Sequence, residues 1–246
     1  MQKLLAYPLT VLYFLCFGLV LVIFHGIQWF CFNVFGYRAH KASVIWLQFW
    51  IMRCLNILGT RFSINNPHKL NTNQPLIIVA NHQSTYDIPP IIWYFRKHHP
   101  KFISKKELGK GIPSVSYNLR HGGSVLIDRK NPRESIVAIS KFAKRIKDNN
   151  WAAVIFPEGT RSRDGKPKPF KTKGLEALIK KIPNAMIVPI SINNSWKTMR
   201  YGKFPMGIGA YIKFQVHEPI AADSEPAETL IPKIESQITQ AIHYEQ

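Results

Sequence analysis

The chain begins with a long apolar tract and changes character after about residue 60. Between Leu4 and Tyr37 there is no Lys, Arg, Asp or Glu, and LTVLYFLCFGLVLVIF (residues 9–24) is almost continuously apolar. As a helix this tract is apolar all round, not striped, and it exceeds the ~20 residues that cross a bilayer. A short basic break, GYRAHKA, precedes a second apolar segment at residues 43–59, which carries Arg53 inside it. This second segment also suits a core helix. Together they predict an N-terminal membrane-anchoring pair of helices over residues 1–59, spanning or re-entrant. Arg38 and Lys41 would lie at headgroup level, with Trp29, Trp46 and Trp50 as interfacial anchors. A cleaved leader fits poorly, because the tract outruns a usual signal core and no small-x-small site follows it.

From residue 60 the pattern is one of short apolar runs separated by turn residues. Strand-length, β-branched runs occur at residues 75–80, 101–104, 123–127, 152–156 and 185–192. Between them, residues 132–150 place Ile136, Val137, Ile139, Phe142, Ala143 and Ile146 at helical spacing, and residues 171–182 form another helix-compatible stretch. The tail at 221–246 reads as a terminal helix. Strands alternating with helices predict an α/β fold over residues 60–246, a largely parallel mixed sheet flanked by helices. Pro189, inside the last apolar run, predicts a sheet edge or strand end there. In such sheets ligands gather beyond the strand C-termini.

Charge sharpens this picture. The net charge of +19 is concentrated in residues 61–217, where 28 basic residues face 8 acidic ones; from Glu218 onward 6 acidic residues face Lys233 alone. So basic a middle attracts nucleic acid, anionic lipid or phosphate-bearing molecules. A nucleic-acid binder is disfavoured, since no recognition-module signature and no interleaved aromatic array is present. Cys16, Cys31 and Cys54 all lie in the apolar N-terminal region without metal-ligand spacing, and read as packing residues.

The polar residues that follow the strand runs carry the candidate chemistry. After 75–80 comes NHQSTYD, with His82 and Asp87 separated by four residues. A tight turn would bring them together, the carboxylate fixing the imidazole tautomer and leaving the other nitrogen as a base. The same residues also read as a helix cap, Ser84 or Asp87 capping while His82 stands by. After 152–156 comes FPEGTRSRDGKPKPFKTKG, in which Gly159 permits close backbone approach and Arg161 offers a planar fork for phosphate. Lys166 and Lys168 read as solvated. GSVLIDRK puts Asp128 and Arg129 at a third strand end. A serine hydrolase using Ser84 or Ser162 is disfavoured, because no G-x-S-x-G elbow exists.

These blocks, in this order, resemble the glycerolipid acyltransferase family, and within it the 1-acyl-glycerol-3-phosphate acyltransferases. The likeness rests on Asn81–Asp87, on residues 123–129, on Phe156-Pro-Glu-Gly-Thr-Arg-Ser162 and on Val188-Pro189-Ile190, with FISKKEL (102–108) adding to it. It spans about residues 60–195, and the N-terminal apolar pair matches the two-helix membrane motif of bacterial members. The resemblance implies His82 as general base and Asp87 as its orienting carboxylate, with no acyl-enzyme. It implies Lys105, Arg129 and Arg161 around the acceptor phosphate, with Glu158, Gly159 and Thr160 shaping that pocket. Lys105 is preferred to Lys106 because family members usually keep the first lysine. The implied partners are lysophosphatidic acid, acyl-CoA or acyl-carrier protein, and anionic membrane lipid. Neither metal nor organic cofactor is implied. The implied location is the bacterial inner membrane, with the catalytic domain on the cytoplasmic side. Another lysophospholipid, or glycerol 3-phosphate, is the alternative acceptor. The chain departs from the family pattern at Ser116, where members commonly carry Gly.

Overall fold

The protein is described here by a computed structural model covering residues 2–244. Helices α1 (Gln2–Phe35) and α2 (Tyr37–Asn56) form an antiparallel pair: Tyr13 packs with Cys54 and Leu55, and Leu21 with Leu47 and Ile51. Only Gly36, at φ 76°, separates them. The basic stretch after Gly36 is therefore not a break but the first turn of α2, since nothing in YRAHKA opposes helix and the left-handed glycine alone reverses the chain. Among the described residues α1 is the one helix long and apolar enough to cross a membrane, with a mean hydropathy of 2.3 over its most apolar window and 17% of that window buried. Leu12, Leu15, Leu19, Val22 and Ile23 are exposed, as are Trp29, Trp46 and Trp50, whereas Leu9, Phe17, Val20 and Phe24 are partly buried against the protein.

The rest of the chain builds an eight-stranded sheet. In chain order its elements are β1 (Arg61–Asn65), β2 (Leu76–Ala80), a 3₁₀ turn (Thr85–Asp87), α3 (Ile88–Tyr94), β3 (Pro100–Lys105), α4 (Val115–His121) and β4 (Val125–Ile127). Then follow α5 (Pro132–Asn149), β5 (Ala152–Ile155), α6 (Thr172–Lys181), β6 (Met186–Asn193), β7 (Tyr211–Val216), β8 (Ile220–Ala221) and α7 (Ala227–Gln240). The spatial order is β1-β7-β6-β2-β5-β3-β4, with β8 also paired to β6. The run from β6 to β4 is parallel, whereas β7 and β8 lie antiparallel to β6. The sheet is mixed and largely parallel, as the alternation of strands and helices predicts.

Side chains alternate across the sheet. Ile77 and Val79 of β2 point to the face covered by α5, α6 and α7, where Phe142, Ile146, Leu175, Leu178, Leu230 and Ile234 are buried. Leu76, Ile78 and Ala80 point to the opposite face, against Ile91 and Ile92 of α3. At the start of α5, Asn131 accepts a hydrogen bond from Glu134 N at 3.2 Å, and Pro132 follows with a preset φ.

Three strands escape the apolar-run reading: β1, β7 and the two-residue β8. In β7, Ile212, Phe214 and Val216 are buried while Tyr211, Lys213 and Gln215 face solvent, so its signal is period two and not a continuous run. Its parallel partner β1 is similarly polar. Pro189 also corrects an expectation, because β6 is an interior strand. The proline lies where β6 passes from pairing with β8 (Ile187 opposite Ile220) to pairing with β7 (Ile190 opposite Val216). There its carbonyl accepts from His217 N at 2.9 Å, and the missing N–H interrupts neither antiparallel ladder. The terminal helix is confined to Ala227–Gln240, and residues 245 and 246 lie outside those described.

Phe142 is wholly buried between α5 and the sheet. Phe142→Ala is expected to lower the unfolding free energy by about 3–5 kcal/mol, read as a fall in the denaturation midpoint.

Candidate active site

The chain between β2 and α3 is bolted down residue by residue. Asn81 Nδ2 donates to Ile192 O at 2.9 Å and its Oδ1 accepts from Ile192 N at 2.7 Å, locking the end of β2 to β6. Gln83 Oε1 accepts from Ser195 N at 2.9 Å, and Ser84 Oγ donates to Thr198 Oγ1 at 3.2 Å. Asp87 is fully buried. Its Oδ2 accepts from His82 Nδ1 at 2.8 Å, from Gln83 N at 2.8 Å and from Ser84 N at 2.9 Å. Ser84 Oγ accepts from Tyr86 N at 3.3 Å, completing a capping box on the 3₁₀ turn. The helix cap and the paired His and Asp are therefore present together, and His82 is not the bystander that the cap reading made it. The same carboxylate oxygen does both.

His82 remains partly exposed, its ring stacked on Phe156 with centroids 4.2 Å apart. With Nδ1 donating to Asp87, Nε2 is left as the acceptor, which is the arrangement of a general base.

The loop after β5 closes on this turn. Glu158, 2% exposed, accepts from His82 N at 2.7 Å through Oε1 and from Lys168 N at 3.1 Å through Oε2. Burial pushes its carboxyl up to about 7, against the opposing pull of those two amides and of Lys168. Ser162 N donates to His82 O at 2.7 Å. Arg161 Nη1 donates to Thr85 Oγ1 at 2.6 Å, so its guanidinium lies beside the residues that follow His82. Arg129 Nη1 donates to Gly159 O, drawing the end of β4 onto the same loop. Gly159 sits at φ 71°, a backbone conformation that favours glycine, and the flexible Lys171 side chain, with Cδ 3.3 Å from where a Cβ would stand, would have to give way slightly to any larger residue. Lys168 Nζ donates to Thr160 Oγ1 at 3.2 Å and to Arg161 O at 2.8 Å, which makes it part of the loop and not a merely solvated charge.

Of the residues singled out from the sequence, His82, Asp87, Glu158 and Arg161 come together, with Arg129, Gly159 and Thr160 adjoining through the loop. Lys105 is exposed at the C-terminal end of β3 and hydrogen-bonds to none of them. Ser116 ties the chain before α4, donating to Leu108 O at 2.9 Å and accepting from Ile112 N at 3.0 Å, a job glycine could not do.

An apolar cavity of about 480 Å³ runs between α2, α3 and β3. Thr85, Tyr86 and Arg161 line it near the His82 turn, and Phe14, Leu47, Ile51, Ile92 and Phe102 are among its walls. Sequence reading missed two site features. Phe156 forms the stacking surface for His82, and Tyr13 of α1 reaches the turn itself, donating from its hydroxyl to Tyr86 Oη at 2.7 Å. Only the continuous apolarity around Tyr13 marked α1, which hid this buried hydroxyl.

A mixed sheet thus carries, beyond its strand ends, a buried Asp paired with a partly exposed His, and the neighbouring Thr85, Tyr86 and Arg161 line an apolar cavity. The Acyltransferase family profile matches residues 61–193, and the chain belongs to that family. It is 41% identical over 128 residues to the 1-acyl-sn-glycerol-3-phosphate acyltransferase of Helicobacter pylori, covering 48% of this chain and 51% of that one. It is 27% identical over 200 residues to the enzyme of the same name from Haemophilus influenzae, covering 78% of this chain and 82% of that one. Against the first of these relatives the chain therefore aligns over about half the length. The crystal structure of the 1-acyl-sn-glycerophosphate acyltransferase PlsC from Thermotoga maritima superposes with a TM-score of 0.78 at 22% identity over 100% of both chains, a likeness of fold.

Because the carboxyl of Glu158 binds its proton more tightly when folded than when unfolded, its contribution is most favourable at low pH and declines as pH rises toward 7. Relative to Glu158→Gln, the wild type is expected to lose about 2–3 kcal/mol of stability between pH ~4.5 and ~7. Denaturant midpoints of the two proteins across that range check the sign, and a growing wild-type advantage would reverse it.

Proposed function

We propose that this chain transfers a fatty acyl group from a thioester, acyl-CoA or acyl-carrier protein, to the free hydroxyl of 1-acyl-glycerol 3-phosphate, yielding phosphatidic acid. The observation that carries the proposal is the Nδ1-anchored imidazole of His82, followed in the same turn by Thr85 and Tyr86, which line an apolar cavity together with the Arg161 guanidinium bound to Thr85. His82 Nε2 takes the proton of the acceptor hydroxyl as its oxygen attacks the thioester carbon. Asp87 holds the ring and stabilises the imidazolium. The C–S bond then breaks, and the thiolate recovers the proton from His82. No acyl group is bonded to the protein at any stage. Arg161 and Arg129 hold the acceptor phosphate on the loop framed by Glu158, Gly159 and Thr160, with Lys105 reaching in from the end of β3. The acyl chain lies in the cavity.

Residues 1–59 act as the membrane-anchoring part and residues 60–246 as the catalytic part. The outward apolar face of α1 and the exposed Trp29, Trp46 and Trp50 support this reading. A basic surface beside such an anchor favours anionic lipid, where a lysophosphatidic acceptor resides. The proposed location is the cytoplasmic side of a bacterial inner membrane.

Purified protein in detergent, given lysophosphatidic acid and acyl-CoA or acyl-carrier protein, is expected to release free thiol; inactivity with every donor and lysophospholipid would end the proposal. His82→Ala is expected to lower kcat by at least about 10²-fold while acceptor binding is retained, and a wild-type rate would exclude its role as base. Arg161→Ala is expected to act chiefly on acceptor KM, and an unchanged KM and kcat would remove it from the phosphate site.

A further inference from the structure

The cavity wall along α2 runs from Tyr37 to Ile51, about 21 Å at 1.5 Å per residue. The Ile51 end adjoins the His82 turn through Tyr86, which packs with Leu55 and Leu58. The Tyr37 end is different in kind. Lys101, the second residue of β3, is 7% exposed, and its ammonium lies over the ring faces of Tyr37 at 5.3 Å and Trp151 at 5.0 Å. Lys41 Nζ donates to His99 Nε2, which leaves His99 Nδ1 carrying the ring proton. That nitrogen and the Tyr37 hydroxyl are both buried without a partner. Lys41, Lys101, His99 and Tyr37 all line the cavity, and no Asp or Glu lines it among the described residues. Four donors, two of them ammonium groups, thus converge on an apolar space that offers no carboxylate.

Buried donors are paired in native proteins, and an unpaired buried charge is costly. We propose that this end of the cavity is a binding site for a carboxylate carried on a long alkyl chain, held by Lys101 and Lys41 with Tyr37 and His99 as neutral donors. The chain fills the apolar channel and its far end approaches His82, so the proposal deepens the acyl-transfer reading. Burial, with Lys41 adding repulsion, draws the Lys101 ammonium down to about 7 in the unliganded site, and a carboxylate there would restore its charge. Two sources share this chemistry. A dicarboxylic acyl thioester would enter with its free carboxylate leading, whereas a free fatty acid would lie reversed and exclude the donor.

The test is equilibrium dialysis of the full chain in detergent near neutral pH with labelled hexadecanoate and methyl hexadecanoate, ligands that need no turnover. Hexadecanoate is expected to bind at least about tenfold more tightly than its ester, and Lys101→Met, which keeps the volume, to abolish the difference. Tyr37→Phe should narrow it, and undiminished ester binding certifies the fold of each variant. Equal affinity of the wild type for both ligands, or discrimination persisting in both variants, would overturn the proposal. The kcat/KM ratio of hexadecanedioyl-CoA to hexadecanoyl-CoA, falling about tenfold in Lys101→Met, identifies the donor as the source; competitive inhibition by hexadecanoate without such turnover identifies the free acid. Inactivity with all donors would remove the acyl-transfer reading and leave the dialysis result standing.

Discussion

One oxygen organises the site. Asp87 Oδ2 collects the His82 imidazole and two successive backbone amides, and it does so with no solvent access. A carboxylate removed from water is tolerated only when such donors replace its hydration. Three hydrogen bonds to one atom also leave the histidine little freedom of position. The surrounding anchors follow from that demand. Asn81 fixes the end of β2 to β6, Gln83 and Ser84 fix the turn to the segment after β6, and Glu158 and Ser162 clamp the two backbone groups of His82 itself. Parallel strands make this possible, because they deliver the ends of β2 and β5 to the same edge of the sheet in register.

The alternation of apolar runs and amphipathic helices was enough to reach the α/β fold, because buried parallel strands and one-sided helices leave strong, distinct periodicities. Where a strand is half-exposed or only two residues long the signal weakens, and β1, β7 and β8 were accordingly missed. Pro189 misled because local chemistry reports a missing donor but not which neighbour would have needed it. In the site, His82, Asp87, Glu158 and Arg161 were legible through spacing after strand ends and through family resemblance. Tyr13 and Phe156 were not, since an aromatic looks the same in sequence whether it fills a core or supports the His82 ring. Lys105 was carried by resemblance alone, and its side chain stands exposed, apart from the dyad.

The long first helix is tied to the site at more than one level. Tyr13 meets Tyr86 within the turn that carries Asp87, Thr10 Oγ1 accepts from Met206 N at 2.9 Å, and Ser114 donates to Leu21 O at 2.6 Å and from its N–H to His25 Nδ1 at 3.1 Å. One face of α1 is therefore a wall of the protein, and the rest is apolar surface with no partner among the described residues.

Direct transfer and covalent catalysis differ in what happens before the acceptor arrives. Rapid mixing of the protein with acyl-CoA alone, followed by free-thiol assay and intact-protein mass spectrometry, separates them. If His82 acts on the acceptor hydroxyl, no thiol burst and no acylated protein will appear until lysophosphatidic acid is added. A stoichiometric burst with an acyl adduct on the chain would contradict this.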